Sequence, residues 1–419
     1  MSDYTLPTWI ARHIRVRQRL QWVCSCYLFF LMVVTTKHSL EEAARFSGLH
    51  KSQFSKLLKL HRPIAVQTLE TLSKQQAKRL SKSLKAFKGL PWKIAIIIDS
   101  TLQSRSSLRP ENAKRFNHGQ GFVIGHQWTN IVLIINDILI PLPPIPFYSQ
   151  RYCLDHGFAY LTEHERVVDY ISNLNLEGYI GSHDSRDVVV LTDSGYDNKK
   201  IENTIADKHW TFITALSKTR SVKSETLYQS TPKSKQWSHV ATFFRNHRRL
   251  KWQTIRIMTG GQKIKRMEFR IRHAIGYLRY VGKVQLVCSE PKKRPHGRRR
   301  YFACNDVRVK ARQIMIAYRL RWAVELFHKK IKQHLGFEDV ATSGFDSVMS
   351  HLHWVYCAYI LFEMAPPGVS SQAKSLGDKQ RQLQNYLESK EKRRALQTLT
   401  QIRGVQRYKN ELRQALADD

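Results

Sequence analysis

The rhythm of apolar and polar positions changes along the chain, and each change marks an expected element. Residues 8–35 read as a helical segment rich in apolar side chains. Ser39-Leu40-Glu41-Glu42 then has the form of a capping box, in which a hydroxyl and a carboxylate three residues later satisfy orphan amides, so a helix starts there. Leu40, Ala43, Ala44 and Phe46 give it an apolar face, Ser47-Gly48 turns the chain, and residues 51–60 form a basic helix carrying Phe54, Leu57 and Leu58. Two short helices about a glycine turn have the pattern of a helix-turn-helix over 39–60, although a plain helical hairpin would look alike.

The pattern switches at Pro91. Ile94-Ala95-Ile96-Ile97-Ile98 is the continuous apolar run of a strand buried on both faces, and it ends in Asp99. Residues 126–135 and 138–142 read as two more strands, turned by Asn136-Asp137. Thr162 and Glu165 form a second capping box, opening a helix to about Leu174, and Val188-Val189-Val190-Leu191-Thr192 is a strand ending in Asp193. A helix over 199–208 and a strand over 212–215 follow. From 218 to 308 the chain is basic and polar, with strands expected over 265–275 and 280–288 and a loop, Lys292 to Arg300, broken by Pro295 and Gly297. A long helix is expected over 309–335 with Gly336 at its cap, then an apolar helix over 347–364. These expectations divide the chain into a helical DNA-binding domain (1–90), an α/β core in two parts (91–217 and 309–364), a basic β-rich insertion (218–308) and a charged helical tail (365–419).

Charge narrows the partner. Lys and Arg total 69 against 33 Asp and Glu, a formal net charge of +36 among 419 residues, and such a field draws in a polyanion. Nucleic acid is the first candidate, while 42% hydrophobic and 11% aromatic residues indicate packed cores rather than a basic tail. The six cysteines form no C-x-x-C pair, which speaks against a zinc site or disulfide framework and fits a reducing cytoplasm. The apolar stretch 22–34 is shorter than the ~20 residues of a membrane span and lacks a cleavage site, so it reads as a buried helix.

Chemistry enters with three carboxylates. Asp99 and Asp193 stand where hydrophobic strands end, and a hard divalent cation needs oxygen ligands held on such rigid elements. A lone strand-end Asp more often starts a turn. Tyr318, Arg321, Glu325 and Lys332 follow Y-x2-R-x3-E-x6-K, and at ~100° per residue they fall within an arc of about 60° on one helix face. Ile316, Leu320, Val324, Phe327 and Ile331 lie roughly opposite, as a packing face. A solvated stripe of i,i+4 ion pairs would read similarly.

Taken together, Ile98-Asp99-Ser100-Thr101, Thr192-Asp193-Ser194-Gly195-Tyr196 and the Tyr318, Arg321, Glu325, Lys332 signature resemble the DDE transposases of bacterial insertion sequences, specifically the insertion-sequence-four family with its Tyr-Arg-Glu-Lys motif. The resemblance covers about residues 91–364. It implies an RNase H-like core, a mixed sheet flanked by helices, with an insertion between the second Asp and the Glu. It also implies two Mg2+ ions, for which Mn2+ can substitute, bridged by Asp99 and held singly by Asp193 and Glu325. Arg321 and Lys332 would grip phosphates, and Tyr318 would meet the terminal nucleotide. The partners so implied are terminal-repeat and target DNA and a second copy of the chain at synapsis, in the cytoplasm near the nucleoid and with no membrane. Arg298, Arg299, Arg300, Lys51 and Lys56 are further candidate DNA contacts by charge. Trp237 and Trp252 are candidates for stacking on a splayed base, with a core role as the plainer reading.

Other residues fit less well. Asp184 and Asp187 precede the strand, Asp197 follows it in a helix cap, and Glu290 has no helix around it. His118, His126 and His164 lack metal-ligand helix spacing, and Gly119-Gln120-Gly121 is too short for a phosphate cradle. A catalytically silent DNA-binding relative, or a nuclease without strand transfer, would share much of this pattern.

Overall fold

Five helices open the chain: α1 (Leu6–His13), α2 (Gln18–Val33), α3 (Leu40–Ser47), α4 (Lys51–Leu60) and α5 (Arg62–Ser81). The computed structural model describes residues 6–225, 237–247, 250–259, 265–293, 299–339, 342–370, 372–373 and 375–401. The expected helix over 8–35 is two helices, parted by an irregular connector at 14–17 that buries Ile14. Ser39 caps α3 by accepting from the Glu42 amide, and Gly48 ends it with a φ of +70°, a conformation that glycine adopts without strain. α5, which the apolar spacing did not single out, buries Ala65, Leu69 and Leu72.

The sheet begins with β1 (Ile94–Ser104), β2 (Lys114–His118), β3 (Gly121–Ile135), β4 (Ile138–Pro141) and the short β5 (Ile145–Pro146). Asn136 and Asp137 both take positive φ, 50° and 63°, the twist that a two-residue hairpin demands. Helices α6 (Gln150–Asp155), α7 (Glu163–Asn173) and α8 (Glu177–Ile180) lead to β6 (Val188–Thr192), α9 (Lys199–Asp207) and β7 (Thr211–Leu216). The capping box of Thr162 and Glu165 forms at the start of α7. The strands lie in the order β4, β3, β1, β6, β7: the first three pair antiparallel, and β1, β6 and β7 run parallel. This mixed sheet flanked by helices fits an RNase H-like DDE domain.

The basic segment carries that sheet onward. Its elements are β8 (Ser221–Ser224), β9 (Ser238–His239), α10 (Val240–Asn246), β10 (Gln253–Thr259), β11 (Lys265–Leu278), β12 (Gly282–Pro291) and β13 (Arg300–Cys304). β13 pairs antiparallel with β7, β12 with β13, and β11 with β12. Hydrogen bonding is therefore continuous from the core strands into the segment.

Alternation sorts the apolar strands onto two faces. Ile94, Ile96, Ile98, Val188 and Val190 enter one core with residues of α7 and α9. Ala95, Ile97, Val189 and Leu191 enter the other, shared with the N-terminal helices and with α11 (Ala311–Tyr318), α12 (Trp322–His334) and α13 (Phe345–Glu363). α13 is apolar all round and buried along almost its whole length, as a helix enclosed on every side should be. α14 (Leu376–Gln401) buries Leu376 and Leu383, and its Gln380 side-chain amide donates to the carbonyls of Met32 and Val34 at 3.2 Å each. Among the described residues no helix is long and apolar enough to cross a membrane.

The helix expected over 309–335 is broken. A 3-10 turn, Arg319–Arg321, joins α11 to α12, and Gly336 follows with a φ of +65°. The break holds neither Gly nor Pro, and its Arg321 is bonded to groups on both the sheet and α12. We attribute the tightened pitch to those bonds, since a 3-10 stretch within a helix commonly marks a local demand of this kind.

Candidate active site

The parallel pairing of β1 and β6 sets Ile98 opposite Thr192, so Asp99 and Asp193 are the next residues along adjacent strands. By alternation they follow Ala95 and Ile97, and Val189 and Leu191, onto the face that α12 covers. β6 ends at Thr192 as expected, and Asp193 caps the 3-10 turn Ser194–Tyr196, its Oδ1 accepting from the Gly195 amide at 2.8 Å. Asp99 does not end its strand. β3 pairs with β1 as far as Ser104, which keeps Asp99 mid-strand with Asn130 opposite.

From α12 and the turn before it comes the rest of the site. Arg321 Nη1 donates to Asp99 Oδ2 at 3.1 Å, and Nη2 donates to Glu325 Oε1. One planar guanidinium thus joins carboxylates that lie 226 positions apart in the chain, 325 − 99. Lys332 Nζ donates to the Leu102 carbonyl at 2.6 Å and pairs with Glu338 at 3.3 Å. Asp99, Asp193, Lys332 and Glu338 line one cleft of about 490 Å³. Tyr318 packs edge-on against Phe302 at 4.7 Å between ring centroids, and the Arg321 guanidinium lies 5.8 Å from its ring.

Burial above all, opposed by Arg321 and the Ser100 amide and assisted by Asp193 and Glu325, leaves the Asp99 carboxyl raised to about 7. Burial opposes the charge on Arg321, and the surrounding anionic groups outweigh it. The Tyr318 hydroxyl is pushed up to about 12, chiefly by burial. Burial and mutual charge thus perturb Asp99, Arg321 and Tyr318 together, as happens where functional groups concentrate.

Residues 171–361 match the family model for the transposase DDE domain. None of the curated proteins matches the chain. The matched stretch contains Asp193, Glu325 and the Tyr318, Arg321, Lys332 positions, and begins after the strand that bears Asp99. It supports a DDE transposase, and with it a metal-dependent DNA-cleaving enzyme whose partner is DNA.

Whether the residues suit a metal can be judged from their chemistry. Among the described residues no three His, Cys, Asp or Glu side chains stand close enough to hold an ion as placed; the cation beside Asp99 and Glu325 is Arg321. The donors are nonetheless three carboxylates, the oxygen ligands that a hard divalent ion takes. They fit such an ion once Arg321 has left them.

Beneath the carboxylates lies support that the sequence reading missed. Glu163, the first residue of α7, accepts from Gln127 at 2.8 Å and from the Thr129 and Tyr196 hydroxyls at 2.7 Å each. It ties β3 to the turn that follows Asp193. His164 donates to the Gly195 carbonyl at 2.8 Å in the same turn. Asn130 donates to His328 at 2.8 Å and accepts from Tyr356, which ties β3 to α12 and α13. The one available signal was the Thr162 cap, which puts Glu163 at a helix start beside the second Asp block.

The remaining expected contacts scatter. Arg299 is bound to Glu290 at 2.9 Å and Arg300 is exposed at the start of β13; Arg298 lies outside the described residues, as does the His118 side chain. Glu290 is a strand residue of β12, buried and paired with Arg270 and Arg299. Lys51 pairs with Glu41, whereas Lys56 is exposed on α4. Trp252 is half-buried among Arg270, Arg272 and Arg299, the nearest guanidinium 4.6 Å from its ring, and Trp237 sits by Lys223. His126 donates to the Glu111 carbonyl. Asp184 caps the 3-10 turn Ser185–Asp187, Asp187 pairs with Lys93, and Asp197 with Arg220. The exposed aromatic nearest the signature in sequence is Trp322, 56% accessible and next to Arg321.

Proposed function

We propose that this chain is a transposase of the insertion-sequence-four kind, which binds the terminal repeats of its element, cleaves DNA at the ends and joins the freed 3′-hydroxyls to target DNA. The observation that carries the reading is the register of Asp99 with Asp193 on the face covered by α12, where Arg321 links Asp99 to Glu325.

In this reading Asp99, Asp193 and Glu325 would hold the Mg2+ ions. Bound there, the ions supply the positive charge that activates a water or 3′-hydroxyl and stabilises the leaving oxygen. The chain's own residues do the holding and aiming. Arg321, once its carboxylates are otherwise neutralised, offers a planar fork of N–H donors to a phosphate, and Lys332 adds a point charge from the cleft wall. Tyr318 and the exposed Trp322 offer ring faces to an end nucleotide. Glu163 and His164 keep the Asp193 turn in place, and Asn130 with His328 keeps α12 against β3, so the carboxylates meet the substrate already positioned.

The division into a DNA-binding helical region (1–90), a two-part core (91–217 and 309–364), a basic sheet extension (218–308) and a tail that pairs two copies at synapsis (365–419) belongs to the same reading. Arg300 and the neighbouring basic loop would track the DNA flanking the cleavage point.

Supplying paired terminal repeats with an intact target plasmid and Mg2+ tests it. Joined products support a transposase. Cleavage without joining would mean a nuclease, and binding alone a regulator.

A further inference from the structure

The N-terminal helices carry a second basic cleft, which shares no residue with the carboxylate site. In the connector between α1 and α2, Ile14 is buried and Val16 packs on the core, so Arg15 and Arg17 at the alternate positions turn outward. Arg19 follows in the first turn of α2, and Lys56 of α4 stands on the same cleft, whose space is about 900 Å³. Leu20 and Ile64 are among its apolar lining.

Two features define what this cleft takes. Arg15, Arg17, Arg19 and Lys56 make no ion pair among the described residues, whereas Lys51 pairs with Glu41, Arg45 with Glu42 and Arg62 with Asp346. Among the described residues no Asp, Glu, Phe, Tyr or Trp lines it. Four uncompensated charges on one cleft call for a ligand with several negative groups, and the lack of Phe, Tyr and Trp leaves no large ring face on which to stack a base.

We infer that this cleft is a sequence-independent seat for the phosphate backbone of duplex DNA, formed by Arg15, Arg17, Arg19 and Lys56. It rests on the reading that the chain acts on DNA, and it relocates the N-terminal contact from the helix pair over 39–60 to the connector before it. The position is useful because α13 joins it to the catalytic side. Arg62, next to the cleft residues His61 and Pro63, pairs with Asp346 of α13 at 2.6 Å, and Tyr356 of the same helix bonds Asn130, the residue opposite Asp99. A duplex held in the cleft is thus held by a rigid arm of the core.

The test uses the full chain, a fluorescein-labelled 20-base-pair duplex of arbitrary sequence and EDTA, so that nothing is cut. Anisotropy titrations over a range of KCl give the slope of log affinity against log salt. Each phosphate contact removed lowers that slope by about 0.9, so the variant Arg15→Ala/Arg17→Ala/Arg19→Ala/Lys56→Ala lowers it by about 3.6 and weakens binding near 0.1 M KCl at least about 100-fold. The double variant Arg17→Ala/Arg19→Ala shows about half the slope change, and an unchanged thermal midpoint separates this from a folding defect. An unchanged slope and affinity in the fourfold variant overturn the inference. So does an effect confined to phosphatidylserine vesicles. Cleavage assays on the same proteins keep the two readings apart: a cleft effect in a chain that never cuts DNA leaves the seat standing and removes the transposase, and cutting with no cleft effect does the reverse.

Discussion

Arg321 and the trio Arg15, Arg17 and Arg19 are the same residue type in opposite surroundings. Arg321 is half-buried and bonded to two carboxylates brought together from β1 and α12. The trio is exposed on a connector and a helix start, with no carboxylate among the described residues lining its cleft. On the proposed reading, the difference teaches how a strongly basic chain divides its labour: a half-buried cation held by carboxylates serves a reaction site, and exposed cations without partners provide a field for a polyanion.

The comparison breaks first at Arg321. Arg321→Ala should lower DNA cleavage by about 10²–10³-fold, the usual loss when one organised charge is removed from a phosphoryl-transfer site. It should also cost about 2–3 kcal/mol of stability, less than a fully buried pair would, because Glu325 is partly exposed. Arg321→Lys should recover little of either, since one ammonium cannot span Asp99 and Glu325 as a fork. Turnover rates and thermal melts check both; a Lys variant with parental turnover would show that the charge alone matters.

Next comes the support below the site. Glu163→Ala leaves Gln127, Thr129 and Tyr196 without their shared acceptor, which should cost about 2–3 kcal/mol. Turnover should fall about tenfold with DNA affinity unchanged, because the substitution shifts the Asp193 turn and no phosphate contact. Equal losses in affinity and turnover would contradict a positioning role.

Protonation probes the buried interior. His126, His351 and His353 are pushed down to about 4 and His328 to about 3, in each case chiefly by burial, with Lys332 and Arg321 adding to it at His328. A histidine whose folded-state value is depressed lends stability above its unfolded value near 6.5, and that stability is lost as pH falls toward 4. Melting temperature should therefore drop between pH 6.5 and 4, less steeply than these histidines alone would make it because Asp99, raised to about 7, takes up its proton in the folded state over the same range, and His351→Gln should flatten the decline.

The smallest expected effect separates two lysines of one helix. Lys51→Ala should barely move the salt slope of DNA binding, because Glu41 already neutralises that charge, whereas Lys56→Ala should lower it by about 0.9.

Much of the core was legible because its signals are local. Five consecutive apolar residues before Asp99, and four followed by Thr192 before Asp193, announced buried strands, and Asn136-Asp137 announced the turn between β3 and β4. That both Asp residues share one face follows only from the parallel register of β1 with β6. What stayed hidden depends on partners far apart in the chain. β1 runs past Asp99 because β3 pairs with it, and α11 breaks from α12 where Arg321 reaches the sheet. The basic segment looked like a separate insertion, whereas strand pairing makes it part of one sheet. Glu163 resembles any first-turn acid until its three donors are in view. Arg15, Arg17 and Arg19 become a site only when α4 supplies Lys56.

The most direct test of the three-carboxylate site is Mg2+-dependent cleavage of linear DNA carrying the element's terminal repeats, with the parent compared to Glu325→Gln and binding followed in parallel. The account predicts that the parent cuts only with Mg2+ or Mn2+, and that the variant binds the same DNA yet does not cut it. Cutting that survives the substitution, or a parent that binds the ends and never cuts, would contradict it.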